Sequence, residues 1–306
     1  MNLRQLRYIA EIANRDLNIS AVASALHTSQ SGISKQVKIL ESELGLEIFV
    51  RSRNRLRGVT PQGQRVIDFA RRALEEISNI DALGRERKLS SSITIATSHT
   101  QARYVLSAIM KRFSDRYPKV RISVIHGDPP QIAELVLSGR ADIGVSTEIA
   151  HGSRDLLTLP YRTFERVVIV PRAHPLLAMK RLSLKALARH PLVTYEPQYS
   201  GRSAVMKAFE KERLTPRLLV SATDADVIKT YVEQGLGIAV LSEVTFDARR
   251  DSGLRAIPAG HLFAPSTTTL LLHRKRYLHQ HAYDFVETCL PKWTRANVQR
   301  AAAGKA

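Results

Sequence analysis

A chain of 306 residues with 44% hydrophobic content can bury more than one core, which excludes a disordered chain and predicts roughly two domains at about 100–200 residues each. The formal net charge of +18 favours an anionic partner such as nucleic acid, but charge alone fits a membrane surface or an acidic protein equally and does not choose among them. A single cysteine, Cys289, excludes an intramolecular disulfide framework and a cysteine metal cluster, and predicts a reducing cytoplasm.

The opening MNLRQLRYIAEIANRD interrupts its apolar residues with Arg4, Arg7 and Glu11, so it reads as neither a signal peptide nor a membrane span, and a cytoplasmic location is expected. Leu3, Leu6, Ile9 or Ala10, and Ala13 mark a first amphipathic helix; a second follows Asn18 and Ser20 with Ala21, Val22, Ala25 and Leu26. After a break at His27 and Thr28, a third helix carries Ile33, Val37, Leu40 and Leu44 at intervals of four, three and four, with Ser29 or Thr28 as its cap. Its other face holds Ser29, Gln30, Ser31, Ser34, Lys35 and Lys38. In a helix-turn-helix the second helix of the pair buries one stripe and meets base edges in the major groove with short polar side chains. Gln30 can bond adenine, Lys35 can reach guanine or phosphate, and the serines allow close approach. An ordinary solvated helix in a small bundle remains the alternative.

IFVRSRNRLRGVT, residues 48–60, predicts two short strands with Arg51, Arg53, Arg55 and Arg57 on one side of a ribbon suited to phosphates or a narrow minor groove. A plain basic loop fits as well. Thr60 and Pro61 then start a helix as N-cap and first residue, with a stop near Gly84. Val66, Ala70, Ala73, Ile77 and Ile80 alternate by four and three, which predicts a coiled-coil seam on a helix roughly 35 Å long at about 1.5 Å per residue. Pairing through that seam would set two winged modules at a half-site spacing.

Beyond the charged hinge RERKLSSS come a strand SITIAT, a helix from Thr100 to about Phe113, a strand VRISVIHG, a helix PQIAELVLSG and a strand ADIGVS. A second unit begins near ERVVIVPRAHP and continues with LVTYEP, a helix from SGRS, LLVSAT, the helix DADVIKTYVEQ and GIAVLS; TTTLLLHRK and a helix from Tyr283 to Cys289 return to the first. The fold class is therefore α/β with an all-α N-terminal part, its strands forming parallel sheets with ligand beyond their carboxyl ends. TSHTQ (97–101), STE (146–148) and YSGRS (199–203) sit where strands end or helices begin, and their hydroxyls, amide and free N–H groups make a neutral, directional anion site. Glu196 adds a negative charge that favours an amine-bearing effector. Asp224 and Asp226 read as a helix cap and dipole partner rather than an acid/base pair, and His99 beside Ser98 lacks the third group a catalytic triad needs, so no enzyme is expected. The histidines offer no metal pair, since His279 and His281 point to different faces, and Cys289 on an apolar helix face reads as a buried thiol. No metal or other cofactor is expected.

Residues 1–84 resemble the N-terminal module of LysR-type transcriptional regulators, and ATSHTQARYVL, GRADIGVSTE, HPLVTY, SGRS and TDADVIKTYVEQGLG are similar to the cysteine-regulon, CysB-type branch and its sulfur-assimilation relatives up to about Leu290. The resemblance implies a winged helix-turn-helix domain (1–60), a linker helix and hinge (61–90), and a periplasmic-binding-protein-like effector domain (91–291). Within the last, subdomain I covers about 91–162 and 267–291 and subdomain II about 163–266; residues 292–306 are left as a basic tail. It implies a homotetramer on double-stranded promoter DNA, with RNA polymerase a possible further partner and no membrane. Its effector would be an acetylated serine or sulfate-like anion held by Ser98, Thr100, Gln101, Thr147 and Ser200, with Phe164 in the wall. This sequence departs from the branch at Ser98 and Ser200, where threonine is usual, and at Phe164, where tryptophan is usual.

Overall fold

The computed structural model describes residues 1–52, 55–89, 92–147 and 153–304, which divide into two units, Met1–Glu86 and Arg87–Ala306. In the first, Asn2 and Gln5 form a reciprocal capping box that starts α1 (Leu3–Asn14). Asn18 caps α2 (Ile19–Ala25), and Ser29 caps α3 (Gln30–Leu44), which stops at Gly45 in a left-handed conformation. Strands β1 (Phe49–Ser52) and β2 (Arg55–Val59) pair antiparallel and lead into α4 (Pro61–Leu89). Ile9, Ile12, Val22, Ile33, Val37, Leu40, Phe49 and Ile67 form the core. Gly63 is there for contact: a Cβ on it would lie 2.1 Å from the Ile48 carbonyl oxygen, so only glycine lets α4 meet the chain entering β1.

Two expectations for α4 change. The helix continues through Gly84 to Leu89, because one interior glycine costs only about 1 kcal/mol against alanine. Its first turns also face inward: Ile67 and Ala70 join the winged core, so Ala70 is no seam residue, whereas Phe69 and Ile80 are 61% and 65% exposed.

The second unit runs β3 (Ser92–Thr97), α5 (His99–Gln101), a π-helical turn Ala102–Leu106, α6 (Ser107–Arg116), β4 (Arg121–His126), α7 (Pro129–Leu137), β5 (Ile143–Thr147) and β6 (Leu156–Phe164). It continues through β7 (Arg166–Pro171), α8 (Leu184–Leu187), β8 (Leu192–Tyr195), α9 (Ser200–Lys211), β9 (Leu218–Ala222), α10 (Ala225–Glu233), β10 (Ala239–Ser242) and β11 (Leu254–Pro258). It closes with β12 (Ser266–His273), α11 (Gln280–Cys289) and α12 (Arg295–Ala302). Subdomain I is a five-stranded sheet in the order β4-β3-β5-β12-β6; subdomain II has a β10-β7-β11 sheet beside the pair β8-β9.

Among the described residues only the pair β8-β9 is wholly parallel; the five-stranded sheet is mixed and the β10-β7-β11 sheet antiparallel. β3 runs parallel to β4 and β5, but β12 is antiparallel to β5 and β6, and β10 and β11 are both antiparallel to β7. β12 returns from the other subdomain, so it enters the sheet from the opposite end. The chain crosses at Glu165, between β6 and β7, and again over 259–265; Ser266 pairs with Phe164, so the crossings are neighbours. Residues 292–306 are not a plain tail. Val298 and Ala301 of α12 are buried in the subdomain I core, and the Arg274 guanidinium donates to the Ala301 carbonyl at 2.8 Å. Among the described residues no helix is long and apolar enough to cross a membrane.

Candidate DNA-binding face and effector cleft

In α3 the apolar stripe Ile33, Val37 and Leu40 is buried while Gln30, Ser31, Lys35 and Lys38 are exposed and Ser34 is half-buried. The Ser29 hydroxyl accepts from the Gly32 N–H at 3.1 Å and is hydrogen-bonded to the Ser31 hydroxyl at 3.3 Å, so both serines lie at the capped start of the helix beside the exposed Gln30. Neither Lys35 nor Lys38 has a carboxylate partner among the described residues. Arg51 behaves differently from the expectation. A bulge between Val50 and Arg51 breaks the simple alternation, and the Arg51 guanidinium donates to Glu41 at 2.8 Å. The same carboxylate accepts from the Ile48 and Phe49 N–H groups at 2.9 and 3.1 Å, so Arg51 fastens the ribbon to α3. Arg53 and the Arg55 side chain lie outside the described residues; Arg57 is exposed on β2.

In the second unit, subdomain I brings Ser98, Thr100, Gln101 and Thr147 to the ends of β3 and β5, and subdomain II brings Ser200 to the start of α9. Thr147 Oγ1 and Ser200 Oγ are hydrogen-bonded at 2.8 Å across the cleft. Ser98 caps α5, its hydroxyl accepting from the Gln101 N–H at 3.4 Å. Gln101 is buried and its Oε1 accepts from the Thr268 hydroxyl at 3.0 Å, so the amide oxygen is committed to the scaffold. Thr100 is hydrogen-bonded to Tyr195, whose phenol is pushed up to about 12 by burial against that bond. Glu148 lies outside the described residues. Phe164 is buried, with the Arg162 guanidinium 5.0 Å above its ring. It lines a cavity that none of the five polar candidates lines.

Further groups gather at the cleft. The start of α9 has no side-chain cap, and Arg166, buried, lies beside it: a Cβ on Gly201 would be 3.5 Å from Arg166 Nη1. A free helix start next to a buried guanidinium favours an anion. From the π-turn, Tyr104 bonds Asp226, Arg103 pairs with Asp226 at 3.2 Å, and Lys229 donates to the Tyr104 hydroxyl at 2.9 Å and to Asp251 at 2.9 Å. Burial raises the Asp226 carboxyl, but Tyr104, Lys229 and Arg103 outweigh it and hold the group below its usual range. Asp224 caps α10 as expected, accepting from the Asp226 and Val227 N–H groups at 2.7 and 3.2 Å. Asp226 sits in the first turn of α10, as a dipole partner should, and also forms an ion pair linking the subdomains.

Residues 3–64 match the model of bacterial regulatory helix-turn-helix proteins of the lysR family, and residues 86–294 match the LysR substrate binding domain. The chain belongs to the LysR family. It is 40% identical over 300 residues to the HTH-type transcriptional regulator SsuR of Burkholderia cenocepacia, covering 97% of each chain. It is 42% identical over 303 residues to the regulator CysB of Haemophilus influenzae, covering 98% of this chain and 94% of the relative. Among solved structures, the cofactor-binding domain of the Cbl transcriptional regulator superposes with TM-score 0.66 at 36% identity, covering 69% of this chain and 92% of that one. HinK of Pseudomonas aeruginosa, at 22% identity and TM-score 0.58 over 96% and 99% of the chains, shares the fold.

This LysR-family chain is a transcriptional regulator rather than an enzyme, with an N-terminal helix-turn-helix and a periplasmic-binding-protein-like domain for a small-molecule effector. Sequence reasoning missed Arg166, Tyr195 and the Tyr104–Asp226–Lys229 cluster. The signal available for Arg166 was a lone basic residue opening an otherwise apolar strand, RVVIVP. Cys289 is buried as expected, its thiol pushed up to about 12 by burial.

Proposed function

We propose that this LysR-type protein regulates sulfur-assimilation or sulfonate-use genes, binding promoter DNA as a homotetramer and sensing a small sulfur-related anion, sulfate or an acetylated serine, in the cleft of its effector domain. The observation that supports the effector reading is the Thr147–Ser200 bond beside the uncapped start of α9. Two hydroxyls that satisfy each other across a cleft can instead turn to a shared anion, and Arg166 supplies the neighbouring positive charge. An effector that bonds both sides favours one arrangement of the subdomains over another, which a regulator requires. The sulfur assignment rests on likeness to SsuR and CysB over nearly the whole chain. The DNA reading rests on the exposed α3 face.

The test is a footprint of the full-length protein on a sulfur-assimilation promoter with and without sulfate, O-acetylserine or N-acetylserine. At least one effector should change the footprint of the wild type, and the Thr147→Ala/Ser200→Ala double variant should bind DNA in its absence but lose the response. A footprint indifferent to all three compounds overturns the effector assignment, and no preference for the promoter over random DNA overturns the regulatory one.

A further inference from the structure

The segment between β7 and β8 carries Arg172, Lys180, Arg181, Lys185 and Arg189, and no carboxylate occurs from Arg166 to Tyr195. Leu176, Leu182 and Leu187 are buried in a core that Phe209 of α9 shares, so the segment is pinned at three points while its cations stay exposed. The His174 ring lies 4.6 Å from the His190 ring, which closes the ends of the segment on each other. Arg172 and Arg189, each within two residues of that contact, therefore share one stretch of surface. The Leu192 N–H donates to the Arg217 carbonyl at 2.8 Å, which adds Arg217 beside it, and Lys207 and Lys211 are exposed one turn apart on α9. None of these cations has a carboxylate partner among the described residues. Residues 172–217 hold ten basic residues against three acidic ones, whereas 218–265 hold four against six. A charge that served only to keep the chain dissolved would be spread and mixed in sign; this one is gathered and nearly of one sign.

We propose that this surface of subdomain II holds the phosphate backbone of double-stranded DNA outside the helix-turn-helix contact. A duplex carries one negative charge per about 1.7 Å of its axis and no positive ones, which fits a field of cations without carboxylates; a protein surface interleaves both signs. Within 172–217 the large exposed apolar side chains are Leu177 and Met179, too few to form the apolar centre of a protein interface. The inference rests on the chain being a DNA-binding regulator: once α3 holds an operator, the flanking duplex is present at high effective concentration, and contacts too weak to bind DNA alone become occupied. Lysine and arginine ends on phosphates carry no sequence information, so the surface adds affinity and fixes the path of the flanking DNA without choosing its sequence.

Quantitative gel shifts of the full-length protein over a range of salt test this with two duplexes. The short one, about 20 bp, spans two half-sites one helical turn apart. The long one extends it on both sides by about 150 bp, the persistence length, so that the flanks can bend to reach either unit. The surface is neutralised in Lys180→Gln/Arg181→Gln/Lys185→Gln/Arg189→Gln, and a control, Lys119→Gln/Arg121→Gln/Arg140→Gln/Lys292→Gln, removes the same charge from exposed positions of subdomain I. Both variants should melt like the wild type, since every replaced side chain is exposed. The first variant should match the wild type on the short duplex, bind the long one at least about tenfold more weakly, and show a salt slope on it lower by at least about two units. The control should stay within about twofold of the wild type on both duplexes. Unchanged affinity of the first variant for the long duplex overturns the proposal, as it would if an acidic protein were the partner, and so does an equal loss in the control, which would make the effect one of net charge. A loss of equal size on the short duplex overturns it too. The helix-turn-helix reading is tested separately, by binding of the wild type to the short duplex.

Discussion

Glu41 makes Arg51 a fastener of the wing, while Arg57 stays exposed. Its carboxylate holds Arg51 and two backbone N–H groups, so Glu41→Ala leaves buried donors unpaired at about 1–3 kcal/mol each and should lower the melting temperature of the first unit, read by calorimetry. Gln30→Ala and Lys35→Ala should leave stability unchanged and weaken specific operator binding by about 1–3 kcal/mol in fluorescence anisotropy. Arg57→Ala should weaken all DNA sequences alike and reduce the salt slope by about one unit, the mark of a phosphate contact. In the second unit, Asp226 has a folded pKa below its unfolded one, so its contribution is present above about pH 3.9 and is lost as pH falls through the lower folded value. The melting temperature of the wild type should therefore fall more steeply on acidification from about pH 5 to 3 than that of Asp226→Asn.

α4 carries the assembly expectation, and its exposed residues indicate where to test it. Ile80 is exposed and lies away from the winged core, so Ile80→Glu should leave the circular dichroism spectrum intact and reduce the oligomer mass in light scattering, because paired helices would bring two carboxylates together in an apolar seam. α3 and the strand-helix order around β3 and α9 were legible in the sequence because each is written locally: a cap, a period of three and four, a short apolar run. β6 was not legible, since Leu156–Phe164 alternates only in part and includes Pro160 and Arg162. α12 was missed because RANVQRAA presents only Val298 and alanines to the core. At the site, the hydroxyls of Ser98, Thr100, Thr147 and Ser200 could be named from strand ends. The bonds that tie Thr147 to Ser200 and Tyr104 to Asp226 join residues 53 and 122 positions apart, which no local pattern encodes. The antiparallel entry of β12 is likewise a property of the return path, not of STTTLLLH.

At the scale of the whole chain, a net charge of +18 predicts that non-specific DNA affinity falls steeply with salt while effector affinity for a cavity lined by paired side chains falls less. The effector unit is also joined internally in a restrictive way. Its two crossings, at Glu165 and over 259–265, emerge from β6 and β12, which are hydrogen-bonded neighbours from Ser266–Phe164 to His273–Leu156. Two tethers fixed side by side leave the halves a single easy motion, rotation about one axis. The unit therefore works as a balance with one pointer: ligands at different places cannot send separate messages, and each can only add to or subtract from the same angle. Two effectors of this protein would then read as a sum or a difference, and by linkage each must alter the affinity of the other by an equal factor.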